Sequence, residues 1–326
     1  MSVAKPLDIK LMILMPLFND WRSLSLLLPT LEHELKTAGL RAGLLLVDDG
    51  STEKLPESLS KITLPSIESI DVLTLRRNLG HQRAIAVGLS YLEANYPDYS
   101  VVIMDADGED CPKDVPRLVR ECLAHDGEQI VFAARTRRSE GVTFTCFYHL
   151  YRFVHLLLTG IPVRVGNFSI VPAGTLKRLV AVSELWSHYA AAVHKAKLPM
   201  SLIPTERTKR LEGTAHMDLV SLVVHGLSAM AVFGDRIGVR LLILVSLGMV
   251  LTVGGMVAVA TIRLATDLAI PGWATYVLGI LLVIMMQMLL VVLGFIFIIL
   301  AARNAMNVVP SRDYVYIMAS VQRIHG

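Results

Sequence analysis

Apolar positions recur at two alternating periods over the first two thirds of the chain. Leu11–Leu17 is a continuous apolar run that reads as a buried strand and ends at Pro16-Leu17-Phe18-Asn19-Asp20. Leu24, Leu27, Leu28, Leu31 and Leu35 then fall on one stripe of a helix. Gly43–Val47 reads as a second strand and ends at Asp48-Asp49-Gly50-Ser51. A third, Ile70–Leu75, ends at Arg76-Arg77-Asn78-Leu79-Gly80, and a helix from His81 to Asn95 follows. Val101–Met104 and Ile130–Ala134 are further strands, the last ending at Arg135. Strands alternating with helices up to about Thr205 predict an α/β domain with a mostly parallel sheet covered on both faces. Polar clusters follow strand C-terminal ends, where open α/β sheets bind ligands.

The pattern then changes. Leu241–Ile262 and Leu268–Ala302 contain no Asp, Glu, Lys or Arg. A helix needs roughly 20 residues to cross a bilayer core, so each run is long enough. They predict two transmembrane helices, at about 239–262 and 273–302, within a hairpin spanning 237–303. Trp273 and Tyr276 fall where an interfacial aromatic belt would lie. The flanks carry Arg236, Arg240, Arg303, Arg312 and Arg323, while the loop Arg263–Gly272 carries one Arg and one Asp. By the positive-inside tendency both flanks are expected in the cytoplasm. The expectation is an integral protein of the cytoplasmic (inner) membrane, with a catalytic domain at 1–215 in the cytoplasm and a cytoplasmic tail at 304–326. Met1–Lys10 is short and polar, unlike a secretory signal. Val142–Thr159 mixes Phe144, Phe147, Tyr148, Tyr151 and Phe153 with His149, Arg152 and His155. This segment (142–160) reads either as a helix lying in the membrane interface or as one packed on the sheet. Met217–Phe233 reads as a juxtamembrane amphipathic stretch within 216–236.

Composition narrows the class. The chain is 53% hydrophobic with mean hydropathy +0.54, too apolar for an ordinary soluble protein. A net charge of +3 gives no footprint for nucleic acid. Cys111, Cys122 and Cys146 are scattered, which fits a reducing compartment and forms no metal or redox motif. His149/His155 and His188/His194 are six apart, a spacing that does not align metal ligands on one helix face.

Chemistry concentrates at strand ends. Asp105-Ala106-Asp107-Gly108-Glu109-Asp110 follows an apolar strand. Clustered carboxylates repel one another, and a hard divalent cation such as Mg²⁺ or Mn²⁺ shared with substrate phosphates relieves this. The alternative is a solvated acidic loop. Asp48 and Asp49 can accept from ribose hydroxyls or base N–H groups, or simply form a surface Asp-Gly turn. Arg76, Asn78 and Gly80 open a helix whose free N–H groups favour anions. Arg207, Lys209, Arg210 and His216 form a basic cluster before the juxtamembrane stretch. It suits either a phosphate at head-group level or anionic lipid in general.

In this order, Pro16-Leu17-Phe18-Asn19-Asp20, Val47-Asp48-Asp49-Gly50-Ser51, Arg76-x-Asn78-x-Gly80 and Asp105-Ala106-Asp107 resemble the family 2 glycosyltransferases of the GT-A fold. More narrowly the chain resembles the polyisoprenyl-phosphate (dolichol- and undecaprenyl-phosphate) glycosyltransferases. Gly166-Asn167-Phe168, Arg207 and Arg210-x-x-Gly213 match more loosely. The resemblance implies that Pro16, Phe18, Asn19, Asp48 and Asp49 hold the nucleotide, with Arg76, Asn78 and Gly80 on the same substrate side. It places Asp105, Asp107 and Glu109 around the metal, and Arg135, Arg207, Arg210 and His216 on phosphates. Asp107, Asn167 and Arg135 are the expected catalytic residues.

Five positions depart from the pattern. Asn167 stands where many relatives have an acidic residue, Ser169 where Arg is common, Arg164 where Asp is common, His216 where Lys is found and Glu109 where many have Gln. A lipid monophosphate is largely anionic near neutral pH, because its second pKa is about 6. It needs orientation more than a base, so Asn167 favours a phosphate acceptor over a sugar hydroxyl.

The resemblance implies an inverting, metal-dependent hexosyltransferase that uses a nucleotide sugar, first UDP-glucose, and a polyprenyl phosphate, first undecaprenyl phosphate. The bilayer is a further partner, and a homo-oligomer and a flippase in the same pathway are compatible with it. Transfer to another lipid or lipid-linked glycan is the alternative, as is a catalytically degenerate membrane scaffold.

Overall fold

The computed structural model describes residues 9–135, 153–161, 165–206, 208, 210–212, 226–266, 270, 272–304 and 308–326. Arg207, Lys209, His216 and Arg164, the side chain of Arg135, and all of 142–152 and 216–225 lie outside the described residues.

Among the described residues eight strands form one sheet in the order β7-β5-β6-β4-β1-β2-β3-β8. The strands are β1 Leu11–Leu17, β2 Ala42–Asp48, β3 Ile67–Leu75, β4 Ser100–Ile103, β5 Ile130–Arg135, β6 Ser169–Val171, β7 Met200–Thr205 and β8 Met318–His325. The centre β4-β1-β2-β3 is parallel, with Leu14 beside both Leu45 and Ile103. β6 runs antiparallel between β4 and β5, and β8 runs antiparallel on β3. The helices over this sheet are α1 Trp21–Ala38, α2 His81–Asn95, α3 Val115–Ala124, α4 Ala173–Leu179 and α5 Tyr189–Lys195.

Strand alternation assigns the two layers. Leu11, Ile13 and Met15 pack in one core with Leu24, Leu28 and Leu31 of α1 and Leu118 of α3. Met12 and Leu14 face the other way, into a core with Ala84, Ile85 and Leu89 of α2. All seven residues of β1 are buried because both sheet faces are covered. Each fully buried leucine contributes about 1.5–3 kcal/mol relative to exposure. α1 stops at Gly39, whose φ of 66° lets its N–H reach back to Leu35 and Lys36 carbonyls.

The expected strands all form, most within one to three residues of their sequence bounds. β6, β7 and β8 add to them, the last from a segment read as tail. Arg323 of β8 donates to buried Asp71 of β3 through Nε at 2.8 Å and Nη2 at 3.1 Å.

The chain divides into two compact units, one holding the sheet and one holding residues 153–161 with the two long helices. These are α6 Gly234–Ala265 and α7 Trp273–Asn304. Both are long and apolar enough to cross a membrane. Leu251, Ile243, Phe297 and Ile298 are each more than 60% exposed, whereas a soluble core helix would bury them. In the same unit, Phe153, Leu156 and Leu157 make an exposed apolar stripe on a short helix, while His155 and Thr159 turn inward. Arg240 Nη1 of α6 donates to Leu157 O at 2.6 Å, satisfying a carbonyl at the end of that helix.

Candidate active site

The sheet reverses its winding beside β1. The chain steps from β1 to β2 and β3 on one side, then returns to β4 on the other. Ligands of open α/β sheets bind at the C-terminal ends of strands at such a switch point. Here the loop Phe18–Asp20 after β1 meets the acidic turn after β4. Met104 N–H still bonds Leu14 O at 3.1 Å, and the acidic residues begin at the next position.

The turn is internally ordered. Asp105 N–H donates to Asp110 Oδ2 at 3.0 Å, and Glu109 N–H donates to Asp107 Oδ1 at 2.9 Å. Gly108 has φ of +83°, a conformation that favours glycine. A strap that includes residues 208 and 210–212 lies over it. Thr208 N–H bonds Glu109 O at 3.1 Å and Leu211 N–H bonds Asp107 O at 3.0 Å.

Two basic side chains meet these carboxylates. Arg210 bonds the Asp20 carboxylate through Nη2 and places Nη1 3.5 Å from Asp107 Oδ2, tying the β1 and β4 loops together. His81, at the start of α2, has Nε2 3.2 Å from Asp105 Oδ1. Burial opposes a charge on His81. Its ring is 40% exposed, however, and the carboxylates of Asp105, Asp110 and Asp107 outweigh burial, so its pKa is raised.

Asn167 joins this group from the start of β6. Its Nδ2 is 3.0 Å from His81 Nε2, and its Oδ1 accepts from Gln82 Nε2 at 3.1 Å. Gln82 Oε1 in turn accepts from the backbone N–H of Tyr189 at 2.8 Å. Ser169 Oγ donates to Asn167 O at 2.8 Å and lies 2.7 Å from the buried Tyr189 hydroxyl. His81, Gln82 and Tyr189 are not singled out by sequence pattern. The usable signal is their place: His81 and Gln82 open a helix directly after Gly80.

The residues expected on the nucleotide side divide into scaffold and surface. Asp49 is buried, and both its oxygens accept from backbone N–H groups, Leu79 at 2.7 Å and Gly80 at 2.8 Å. Burial raises its pKa against those two hydrogen bonds. Asp48 Oδ1 closes the turn on Ser51 N–H at 2.8 Å. Asn19 laces two loops together: Oδ1 accepts from Thr52 and Glu53 N–H, and Nδ2 donates to Thr52 Oγ1. Asp49 and Asn19 read as candidate ligands in sequence, yet most of their polar capacity is spent on the fold. Pro16 is buried in β1, whereas Phe18 is 38% exposed and Asn78 is exposed beside Gly80. Arg76 is exposed too, with Nε donating to Met318 O of β8 at 3.1 Å.

The donor set fits a hard divalent cation. Asp105 and Asp107 offer carboxylate oxygens, and positive groups (His81, Arg210) already stand at both. Among the described residues no three His, Cys, Asp or Glu side chains form a closed metal cage. Asp105, Asp107 and Glu109 are therefore not gathered as three ligands. Mg²⁺ commonly binds through one or two carboxylates, with substrate phosphates and water completing the shell.

Comparison with known proteins agrees with this geometry. The chain is 26% identical to the uncharacterized glycosyltransferase YkcC of Bacillus subtilis (strain 168) over 72% of this chain and 71% of that one. It is 32% identical to an undecaprenyl-phosphate 4-deoxy-4-formamido-L-arabinose transferase of Pseudomonas savastanoi pv. phaseolicola (strain 1448A / Race 6). That match covers 42% of this chain and 39% of the relative, so the chain spans about two fifths of its length. The fold is similar to glucosyl-3-phosphoglycerate synthase of Mycobacterium tuberculosis, with TM-score 0.50 at 16% identity, covering 71% of this chain and 80% of that one. The acidic turn at the sheet's switch point and the strands that carry it lie within the stretch matched to a single family, and residues 12–171 of this chain form a glycosyl transferase family 2 domain.

Proposed function

We propose that the protein is a membrane-anchored, inverting hexosyltransferase. It moves a hexose, in the first instance glucose from UDP-glucose, onto undecaprenyl phosphate at the cytoplasmic face of the inner membrane. The observation that carries this reading is the acidic turn Asp105–Asp107 at the switch point, in one chain with two exposed apolar helices. The relatives named as undecaprenyl-phosphate sugar transferases support the acceptor. The fold neighbour was crystallised with Mn²⁺ and UDP-glucose, which supports the donor and metal only by analogy of fold.

In the reaction a phosphate oxygen of the acceptor attacks the anomeric carbon of the sugar. The bond from that carbon to the nucleotide diphosphate breaks, and the electron pair leaves with the diphosphate. Asp105 and Asp107 would hold Mg²⁺ or Mn²⁺, which supplies positive charge for the departing diphosphate. Arg210 stands beside Asp107 and adds a second positive charge at the same end of the site. Arg135, Arg207 and His216 are proposed to bind phosphate oxygens as well. Phe18 offers an exposed ring for the base, and Asp48 one remaining carboxylate oxygen for the ribose. Asn167 orients the acceptor phosphate and takes no proton from it.

The anchor fits the acceptor. A polyprenyl phosphate keeps its tail in the bilayer, and confinement to one surface raises its effective concentration. Phe153, Leu156 and Leu157 are proposed to bed in the interface, with Arg236 and Arg240 at head-group level.

The test is a transfer assay with purified protein in detergent, labelled nucleotide sugars, undecaprenyl phosphate and Mg²⁺ or Mn²⁺. Label should enter the organic phase with UDP-glucose, and Asp107→Asn or a chelator should abolish it. Label in water-soluble glycan, or none with any donor, would overturn the assignment.

A further inference from the structure

The side chain of Asn167 is held in one of its two amide orientations by a neighbour that itself has no freedom to turn. A backbone N–H can only donate, so Tyr189 N–H fixes which end of Gln82 is oxygen. Gln82 is nine-tenths buried, with Oε1 on Tyr189 N–H at 2.8 Å and Nε2 therefore pointing to Asn167 at 3.1 Å. Nε2 can only donate, so the Asn167 atom facing it is the oxygen. The NH₂ group of Asn167 must then face the acidic turn, where it lies 3.0 Å from His81 Nε2. That NH₂ group stands beside the acidic turn, where it can donate to a ligand oxygen.

A second, separate anchor fixes the backbone at both ends of this relay. Ser169 Oγ donates to Asn167 O, so the Tyr189 hydroxyl must donate to Ser169 Oγ at 2.7 Å. The Tyr189 ring is fully buried against Phe132, 5.6 Å between centroids. Neither Asn167 nor the Tyr189 N–H can shift to accommodate a turned amide. The relay runs one way, from a fixed donor in the core to a donor at the site.

We infer that Gln82 is a positioning residue that locks the Asn167 amide with its NH₂ toward the substrate. Position 167 thereby serves as a hydrogen-bond donor to an anionic oxygen. This rests on the glycosyl transfer proposed above for the role of the site, but not for the orientation itself.

Gln82→Glu tests it. A glutamate has the same shape and still accepts from Tyr189 N–H. Its carboxylate cannot donate to Asn167 Oδ1, so the amide turns its NH₂ toward that carboxylate and its oxygen to the site. The wrong end of the amide then faces the anionic oxygen. Losing a hydrogen bond to a charged group corresponds to a roughly 10- to 100-fold fall in kcat. The KM for nucleotide sugar should stay near that of the parent.

The Asn167→Ala background separates positioning from packing. There Gln82→Glu has no amide to turn and should lower kcat by no more than about twofold further, the mark of two residues acting as one unit. An equal loss in both backgrounds would show a purely structural Gln82 and overturn the proposal. Orientation is also read without any acceptor, from the side-chain ¹⁵NH₂ signal of Asn167 in the full chain, assigned by its loss in Asn167→Ala. It should show contact with the His81 ring protons in the parent and lose it in Gln82→Glu. An unchanged contact would overturn the lock, whereas failure of lipid labelling in the parent would count only against the acceptor.

Discussion

Replacing Arg323 by alanine isolates what the last strand contributes to the sheet. Asp71 is 3% exposed and accepts from Arg323 Nε at 2.8 Å and Nη2 at 3.1 Å. The Tyr96 hydroxyl adds one bond at 3.1 Å. Without the guanidinium, Asp71 keeps only that hydroxyl. Removing one partner of a fully buried ion pair costs about 3–5 kcal/mol. The Arg323 side chain is 52% exposed, so water reaches the vacated space and solvates part of the charge. The expected cost is about half, roughly 2 kcal/mol. A domain of this size loses about 2–4 °C per kcal/mol, so the thermal midpoint should fall by roughly 4–8 °C. Thermal unfolding of the full chain in detergent, followed by tryptophan fluorescence, measures it. The paired change Asp71→Leu with Arg323→Met removes both charges and should cost less than Arg323→Ala alone. A shift under about 1 °C for Arg323→Ala would refute the reasoning, given that slope. So would a paired variant that falls further than the single one.

Other positions give sharper local tests. Gly50 and Gly127 both have positive φ, +71° and +67°, but only at Gly50 would a Cβ meet backbone, 2.8 Å from Asn78 N. Gly50→Ala should therefore be less stable than Gly127→Ala by about 1–3 kcal/mol, the usual cost of overpacking, and should weaken nucleotide binding measured by calorimetry. At Gly108 a Cβ would lie 2.5 Å from Leu211 Cγ, so Gly108→Ala should lift the strap and speed tryptic cleavage after Arg210. Adding Leu211→Ala should slow that cleavage again. Burial pushes the Cys122 thiol up to about 11, while Cys111 is partly exposed. The thiolate is the nucleophile, so iodoacetamide at pH 8 should modify native Cys111 and leave Cys122 until pH approaches its raised value, as read by mass spectrometry.

The parallel centre of the sheet was legible because its strands are buried on both faces. Leu11–Leu17 and Gly43–Val47 are therefore unbroken apolar runs with polar ends. β6 has three residues, and β7 carries Pro204, so neither shows a period. β8 alternates at an exposed edge as Met-Ala-Ser-Val-Gln-Arg-Ile-His, a pattern that resembles an unstructured tail. At the site, charge and position single out Asp105, Asp107 and Arg210, which the structure brings together. Asp49 and Asn19 show the limit of such reading: a residue type signals hydrogen-bonding capacity, not where it is used. Gln82 and Asn167 are 85 residues apart, and only the folded sheet makes them partners.

β8 leaves the ribosome after both long helices, yet it completes the sheet that begins at Leu11. Until then the outer edge of β3 stays open, an unpaired edge of the kind that recruits other strands. Arg76 also waits for its carbonyl partner at Met318. Maturation of the sheet domain is thus coupled to completion of the two long helices, and a nascent chain stalled between the two carries an aggregation-prone edge. For protein engineering, a soluble fragment ended at residue 232 would lack its edge strand. One that joins residue 232 to residue 308 through a short linker would keep it.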